Sequence, residues 1–127
     1  MANNKNTSEP TKAELEILQV LWKHGPSTVR FVHKNIETGK DVMYTSILKQ
    51  MQVMTEKGLL SRDESQMKHV YKPLLKEEKV KQHFLEKFID SFYQGSPANL
   101  MMQLLGNRKT SKKDIEFLKE QIKKLDK

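Results

Sequence analysis

The 127-residue chain contains no cysteine, so neither a disulfide framework nor a thiolate metal site can be built from it. No apolar run approaches the ~20 residues that a membrane-spanning helix needs. The opening Met1-Ala2-Asn3-Asn4-Lys5-Asn6 is polar where a signal peptide is apolar. A soluble cytoplasmic protein with no membrane partner is expected. The five glycines stand singly at turn-like positions, which leaves no phosphate-cradling glycine-rich loop and no nucleophile elbow. His24, His33, His69 and His83 lack the His-x-x-x-His and His-Glu-x-x-His spacings that bring ligands onto one helical face, and each reads as a surface histidine. No enzyme chemistry, cofactor or metal is expected. One tryptophan and a hydrophobic share of 36% suffice for one modest core, or for a small domain plus an appendage.

Positive charge is plentiful: 23 Lys and Arg face 16 Asp and Glu, a formal charge of +7. Such a balance favours an anionic partner such as nucleic acid. The excess is spread along the chain, with eleven basic against eight acidic residues up to Leu75 and twelve against eight beyond it.

The most informative stretch runs from Met43 to Gly58. At about 100° per residue, Ile47, Met51 and Met54 fall within about 60° of one another and form the stripe of a packed helix. Thr45, Lys49, Gln52 and Glu56 lie opposite, with Ser46 and Leu48 on the flanks. Gly58 stands where the chain must leave the helix in a left-handed conformation. Beyond it, Leu60, Arg62 and Glu64 share one face of a strand, and Val70 and Tyr71 supply the return strand. Pro73, which has no N–H to donate, ends the ladder.

Upstream, residues 1–9 read as a mobile polar tail. Thr11-Lys12-Ala13-Glu14 matches a capping box, and Leu15, Leu18 and Trp22, widened by Ile17 and Leu21, make Thr11 to His24 a core helix. Gly25-Pro26 ends it. Ser27 is a good N-cap for a short second helix carrying Val29, Val32 and Ile36, and Thr38-Gly39-Lys40 turns into the third. Ser27 and Thr28 suit a phosphate at that helix start, although capping alone accounts for Ser27. Two helices, a third with a small-polar beginning and a hairpin make a winged helix-turn-helix, in which the third helix reads DNA.

The segments Thr11-Lys12-Ala13-Glu14-Leu15-Glu16-Ile17-Leu18-Gln19-Val20-Leu21-Trp22, Gly25-Pro26-Ser27-Thr28-Val29-Arg30, Tyr44-Thr45-Ser46-Ile47-Leu48 and Glu56-Lys57-Gly58-Leu59-Leu60 closely resemble the penicillinase-repressor family, the BlaI/MecI type of winged-helix transcriptional repressor. The resemblance covers Pro10 to Pro73 well and the helical remainder more loosely. It implies a homodimer that binds a palindromic operator in double-stranded DNA and represses downstream genes. Carried over by position, it sets Thr45, Ser46, Lys49 and Gln52 at base edges or adjacent phosphates. Arg62 and Lys68 would flank the wing and touch phosphates, with a solvated loop as the plain reading of Lys68. Tyr44 either stacks at the rim of the groove or packs under the wing.

After Leu75 the charged run Lys76-Glu77-Glu78-Lys79 opens a new helix carrying Phe84, Phe88 and Phe92, too much apolar surface for a lone helix. Gly95-Ser96-Pro97 breaks it. A short apolar helix follows with Leu100 and Leu104, and Ser111 caps a last one with Ile115, Leu118, Ile122 and Leu125. Three short helices can hardly close a core from about 50 residues, whereas interlocking with a second copy supplies the missing partner. Folding back on the winged domain is the alternative. The family's antibiotic-responsive members are inactivated when a sensor-activated protease cleaves this domain at an Asn-Phe bond. Gln103-Leu104 aligns there, a departure from the pattern. Copper-responsive relatives carry a C-terminal cysteine cluster that is missing here.

The expected fold is therefore mainly α. Residues 10–75 form a winged helix-turn-helix DNA-binding domain of three helices plus a β-hairpin wing, and residues 76–127 a small three-helix dimerisation domain. The competing function is a protein-interaction winged helix that leaves its third helix off DNA, towards which Glu56 and Leu48 lean.

Overall fold

Thr11 opens the first helix by reciprocal capping: its hydroxyl accepts from the Glu14 amide at 3.2 Å, and the Glu14 carboxylate accepts from the Thr11 amide at 3.0 Å. Helix α1 then runs Lys12–His24 and stops at Gly25, whose φ of 89° suits a residue without Cβ. The computed structural model describes residues 9–36, 41–107 and 109–125. Residues 1–8 of the expected tail and the Thr38-Gly39-Lys40 turn lie outside these.

Helix α2 is Val29–Asn35 and helix α3 is Tyr44–Glu56. Ile36, expected inside α2, is extended at φ −71° and ψ 121° and caps its C-terminus. Strand β1, Leu60–Asp63, pairs antiparallel with β2, Val70–Pro73, in the register Leu60 to Pro73 and Arg62 to Tyr71. Pro73 takes the last rung, where its missing donor costs nothing. The backbone of Tyr71 also exchanges two hydrogen bonds with Ser27, at 3.0 and 2.8 Å, so β2 is held on both edges.

This bridge corrects one expectation. Ser27 is not the cap of α2; Thr28 is, accepting from the Phe31 amide at 3.2 Å. Pairing with Tyr71 holds Ser27 in a strand-like position, buried, with its hydroxyl donating to the Gly25 carbonyl at 2.8 Å. The capping task passes to the next hydroxyl along.

Ile17, Leu18 and Leu21 of α1, Val29 and Val32 of α2, Ile47, Met51 and Met54 of α3, and Leu59, Leu60 and Tyr71 around the wing form one buried core. The side chains come from every element, so burial joins helices and hairpin into a single winged-helix unit. Trp22 is half-buried on its edge, and its indole N–H donates to the Leu75 carbonyl at 3.0 Å.

Three further helices follow: α4, Glu77–Tyr93; α5, Pro97–Leu105; and α6, Lys112–Leu125. Packing divides the chain into two compact units after Val80, within α4. The break between α4 and α5 puts Gln94 and Gly95 at positive φ, and Ser96 caps α5 with Pro97 in its first turn. Ser111 and Asp114 bracket the start of α6 with reciprocal bonds of 3.1 Å. No helix among the described residues is long and apolar enough to cross a membrane.

Candidate nucleic-acid interface

Helix α3 is seated by Ile47, Met51 and Met54, all buried. Its other side is therefore outward, and Thr45, Lys49 and Gln52 are exposed there with Ser46 on the flank; Tyr44, also exposed, stands at the helix start towards α2. Leu48, on the flank, is half-buried against the core. The helix begins without a side-chain cap, because Met43 at that position has no acceptor, and its first-turn N–H groups lack one of their usual partners.

The far end is finished tightly. The Gly58 amide reaches the Thr55 carbonyl at 3.1 Å, the Leu59 amide reaches the Met54 carbonyl at 2.9 Å, and Gly58 has φ 85°. This is a Schellman stop, with Leu59 and Met54 both fully buried as its apolar contact. Beside it, Lys57 Nζ donates to Glu14 Oε2 at 2.8 Å, tying the end of α3 to the start of α1.

Around the start of α3 the side chains form a small network. The Arg30 guanidinium lies 5.9 Å from the Tyr44 ring centroid, and the His33 ring meets Tyr44 edge-on at 6.0 Å. His33 Nε2 donates to the Val42 carbonyl at 2.7 Å, which anchors the chain just before α3. Tyr44 is thus placed by α2. Thr28, Arg30, Tyr44, Leu48, Lys68 and His69 are among the residues lining a cleft of about 210 Å³ between α2, α3 and the wing.

Arg62 is placed differently. It sits on the wing opposite Tyr71, and its Nε donates to Glu64 Oε2 at 2.6 Å. Hydrogen bonding to the Tyr71 side chain, then to Glu64, holds its pKa above the usual arginine value. It lines a separate depression with Pro26, Ser61, Asp63, Val70 and Lys72. At the wing turn, the Ser65 amide donates to Asp63 Oδ1 at 2.9 Å and keeps that carboxyl below its ordinary range.

Of the residues expected at DNA, Thr28, Tyr44 and Lys68 thus share one cleft; Thr45, Ser46, Lys49 and Gln52 share the outer face of α3; Ser27 and Arg62 are engaged elsewhere. Arg30, His33 and His69 were not singled out by sequence for this region. A basic residue two positions after a helix cap was the available signal for Arg30.

In the second unit Phe84, Leu100, Ile115 and Leu118 are half-buried. Phe88, Leu104, Ile122 and Phe92, the last 67% exposed, remain open, as do Leu85, Met101, Leu105 and Phe117. Phe88 packs on Phe92 at 5.1 Å and on Tyr93 at 5.7 Å. A second cleft of about 210 Å³, with almost wholly apolar walls, separates α5 from α6 and is lined by Leu104, Ile115, Leu118 and Ile122. Gln103 and Leu104 lie on α5, both exposed. Among the described residues no cluster of three His, Asp or Glu could hold a metal ion.

A family model described as penicillinase repressor matches residues 10–124. The penicillinase repressor of Bacillus licheniformis is 26% identical over 117 residues, covering 90% of this chain and 89% of that protein. The methicillin resistance regulatory protein MecI of Staphylococcus aureus strain N315 and that of Mammaliicoccus sciuri are each 22% identical over 121 residues, covering 95% of this chain and 98% of theirs.

Proposed function

The chain belongs to the penicillinase repressor family, and on that premise we propose that it binds a palindromic operator in double-stranded DNA as a homodimer and represses the genes downstream. Its role is that of a transcriptional repressor, a regulator and not an enzyme. The observation that carries the DNA reading is the outward face of α3. Thr45, Lys49 and Gln52 stand exposed opposite the three side chains that bury the helix, with Ser46 on the flank and Glu56 at the far end.

Lys49 suits guanine O6 and N7, and Gln52 has the amide geometry for adenine N6 and N7. Thr45 and Ser46 are small enough to let the helix start sink into the major groove. The first-turn amides of α3, left without a side-chain cap, suit a backbone phosphate. Thr28, Tyr44 and Lys68 would touch phosphates beside them; Ser27, buried with its hydroxyl engaged, and Arg62, paired with Glu64, are weaker partners. A protein-binding role for α3 would use Leu48, which is instead half-buried against the core.

The open apolar faces of α4, α5 and α6 support a dimerisation unit, with residues 10–75 as the DNA-binding part and the helices from residue 76 as the dimer part. Two copies would present their α3 helices about one DNA turn apart. The setting is the cytoplasm. A sensor-activated protease acting at Gln103-Leu104 is the inducing partner that the resemblance implies, on a bond that departs from the family pattern.

A gel-shift titration against the DNA upstream of the protein's own gene tests the reading. Binding should weaken steeply with salt. Lys49→Ala should cost about 1–3 kcal/mol and relax the choice of base at one position of each half-site. Unchanged affinity and unchanged base preference in that variant would put α3 off the DNA.

A further inference from the structure

Arg30 is exposed on α2, has no carboxylate partner among the described residues, and is steadied against the Tyr44 ring. The cleft it lines also receives Lys68 and His69 from the wing, and none of its lining residues is acidic. Val29, Leu48 and Tyr71 make part of its wall apolar, which raises the strength of any charge interaction there above its value in bulk water. A guanidinium lying over an aromatic face keeps its N–H edges available for two parallel bonds to a pair of anionic oxygens. The Thr28 hydroxyl, already accepting from Phe31, still has its proton to donate.

Resting on the DNA-binding reading above, we propose that Arg30, with Lys68 and His69 across the cleft, grips one phosphodiester of the DNA backbone beside α3. This makes Arg30 the principal positioning cation of the interface and adds His69 to it. The strand is clamped between α2 and the wing, so the grip fixes the register of α3 in the groove without reading a base. Arg62 is the weaker candidate for this place, since it lines a different depression and is paired with Glu64.

The test uses the full chain and a duplex that the wild-type protein selects from a random-sequence pool. Arg30→Ala is expected to weaken binding about tenfold at low salt, equally for the selected duplex and its single-base variants. The slope of log affinity against log salt should become shallower by about one for each copy bound. Arg30→Lys should restore the slope but only part of the affinity, because an ammonium cannot form the two-bond fork. Tyr44→Leu should lower affinity in the same sequence-independent way. Thermal melting of each variant checks that the fold is kept. Wild-type affinity and slope in Arg30→Ala would overturn the phosphate grip while leaving DNA binding intact. A relaxed base preference in that variant would also overturn it, by making Arg30 a base reader. A wild-type protein that selects nothing from the pool and shows no salt-dependent binding would remove the DNA reading itself, and the grip with it.

Discussion

Glu14 shows how one side chain can serve two elements. It is 2% exposed, yet its carboxylate is satisfied on both oxygens, by the Thr11 amide and by Lys57 Nζ. Burying a carboxylate is tolerable only when it is paired in this way. Glu14→Ala removes the capping partner and strands the Lys57 ammonium, and should lower stability by about 2–3 kcal/mol. Thr11→Ala, which removes only the hydroxyl cap, should cost about 1 kcal/mol. Urea denaturation of the two variants checks both figures; equal losses would mean that the Lys57 contact contributes nothing. The cap was legible, because Thr11 and Glu14 stand three apart at the head of an apolar stripe. The ion pair was not, because its cation is 43 residues away and no local pattern marks it. The Ser27 and Thr28 exchange has the same origin: two adjacent hydroxyls are equal candidates for a cap until the pairing with Tyr71 claims one of them.

At the scale of the element, α3 was the most readable part of the chain. Its buried stripe, its polar face and its glycine stop all follow from period and residue type, and Ile47, Met51, Met54 and Gly58 take those places. A Cβ added at Gly58 would meet no atom within 4 Å. Gly58→Ala therefore tests backbone strain alone, at φ 85°, and should destabilise by about 1 kcal/mol. Differential scanning calorimetry would register that as a lower melting temperature; an unchanged one would mean that the helix ends some other way. The wheel showed which side of α3 faces out but not what stands next to it. The contacts of Tyr44 with Arg30 and His33 depend on how α2 crosses α3, which residue spacing does not encode. Leu48 keeps the flank position that the wheel gives it, but that it packs against the core is not something a wheel can show.

For the molecule as a whole, the apolar faces of the second unit dominate. Helices α5 and α6 contain no buried residue, while Met101, Met102, Leu105, Phe117 and Ile122 are exposed. Leaving such a surface in water is unfavourable, at about 25 cal/mol for each Å² of apolar area. A second copy is the proposed cover, and sedimentation equilibrium at micromolar concentration should give twice the chain mass. Phe92→Asp, at a 67% exposed position, should leave helix content intact and weaken self-association by about 2 kcal/mol or more. Operator affinity should fall with it. A single-copy wild type, or a Phe92→Asp variant that associates as before, would assign these faces another role. The period of the apolar residues foretold three helices here, but periodicity says nothing about what lies across from them.

The doubled backbone link between Ser27 and Tyr71 bears on how any of this works in motion. A hairpin attached only through its own chain could flap; this one is stitched along its inner edge to the segment that leads into α2. The base of the hairpin is thereby pinned beside α2 at Tyr71, and the wing turn that carries Lys68 and His69 extends from that fixed point. A hairpin rooted in this way has less freedom to lose when a ligand enters than one hanging from its own chain alone.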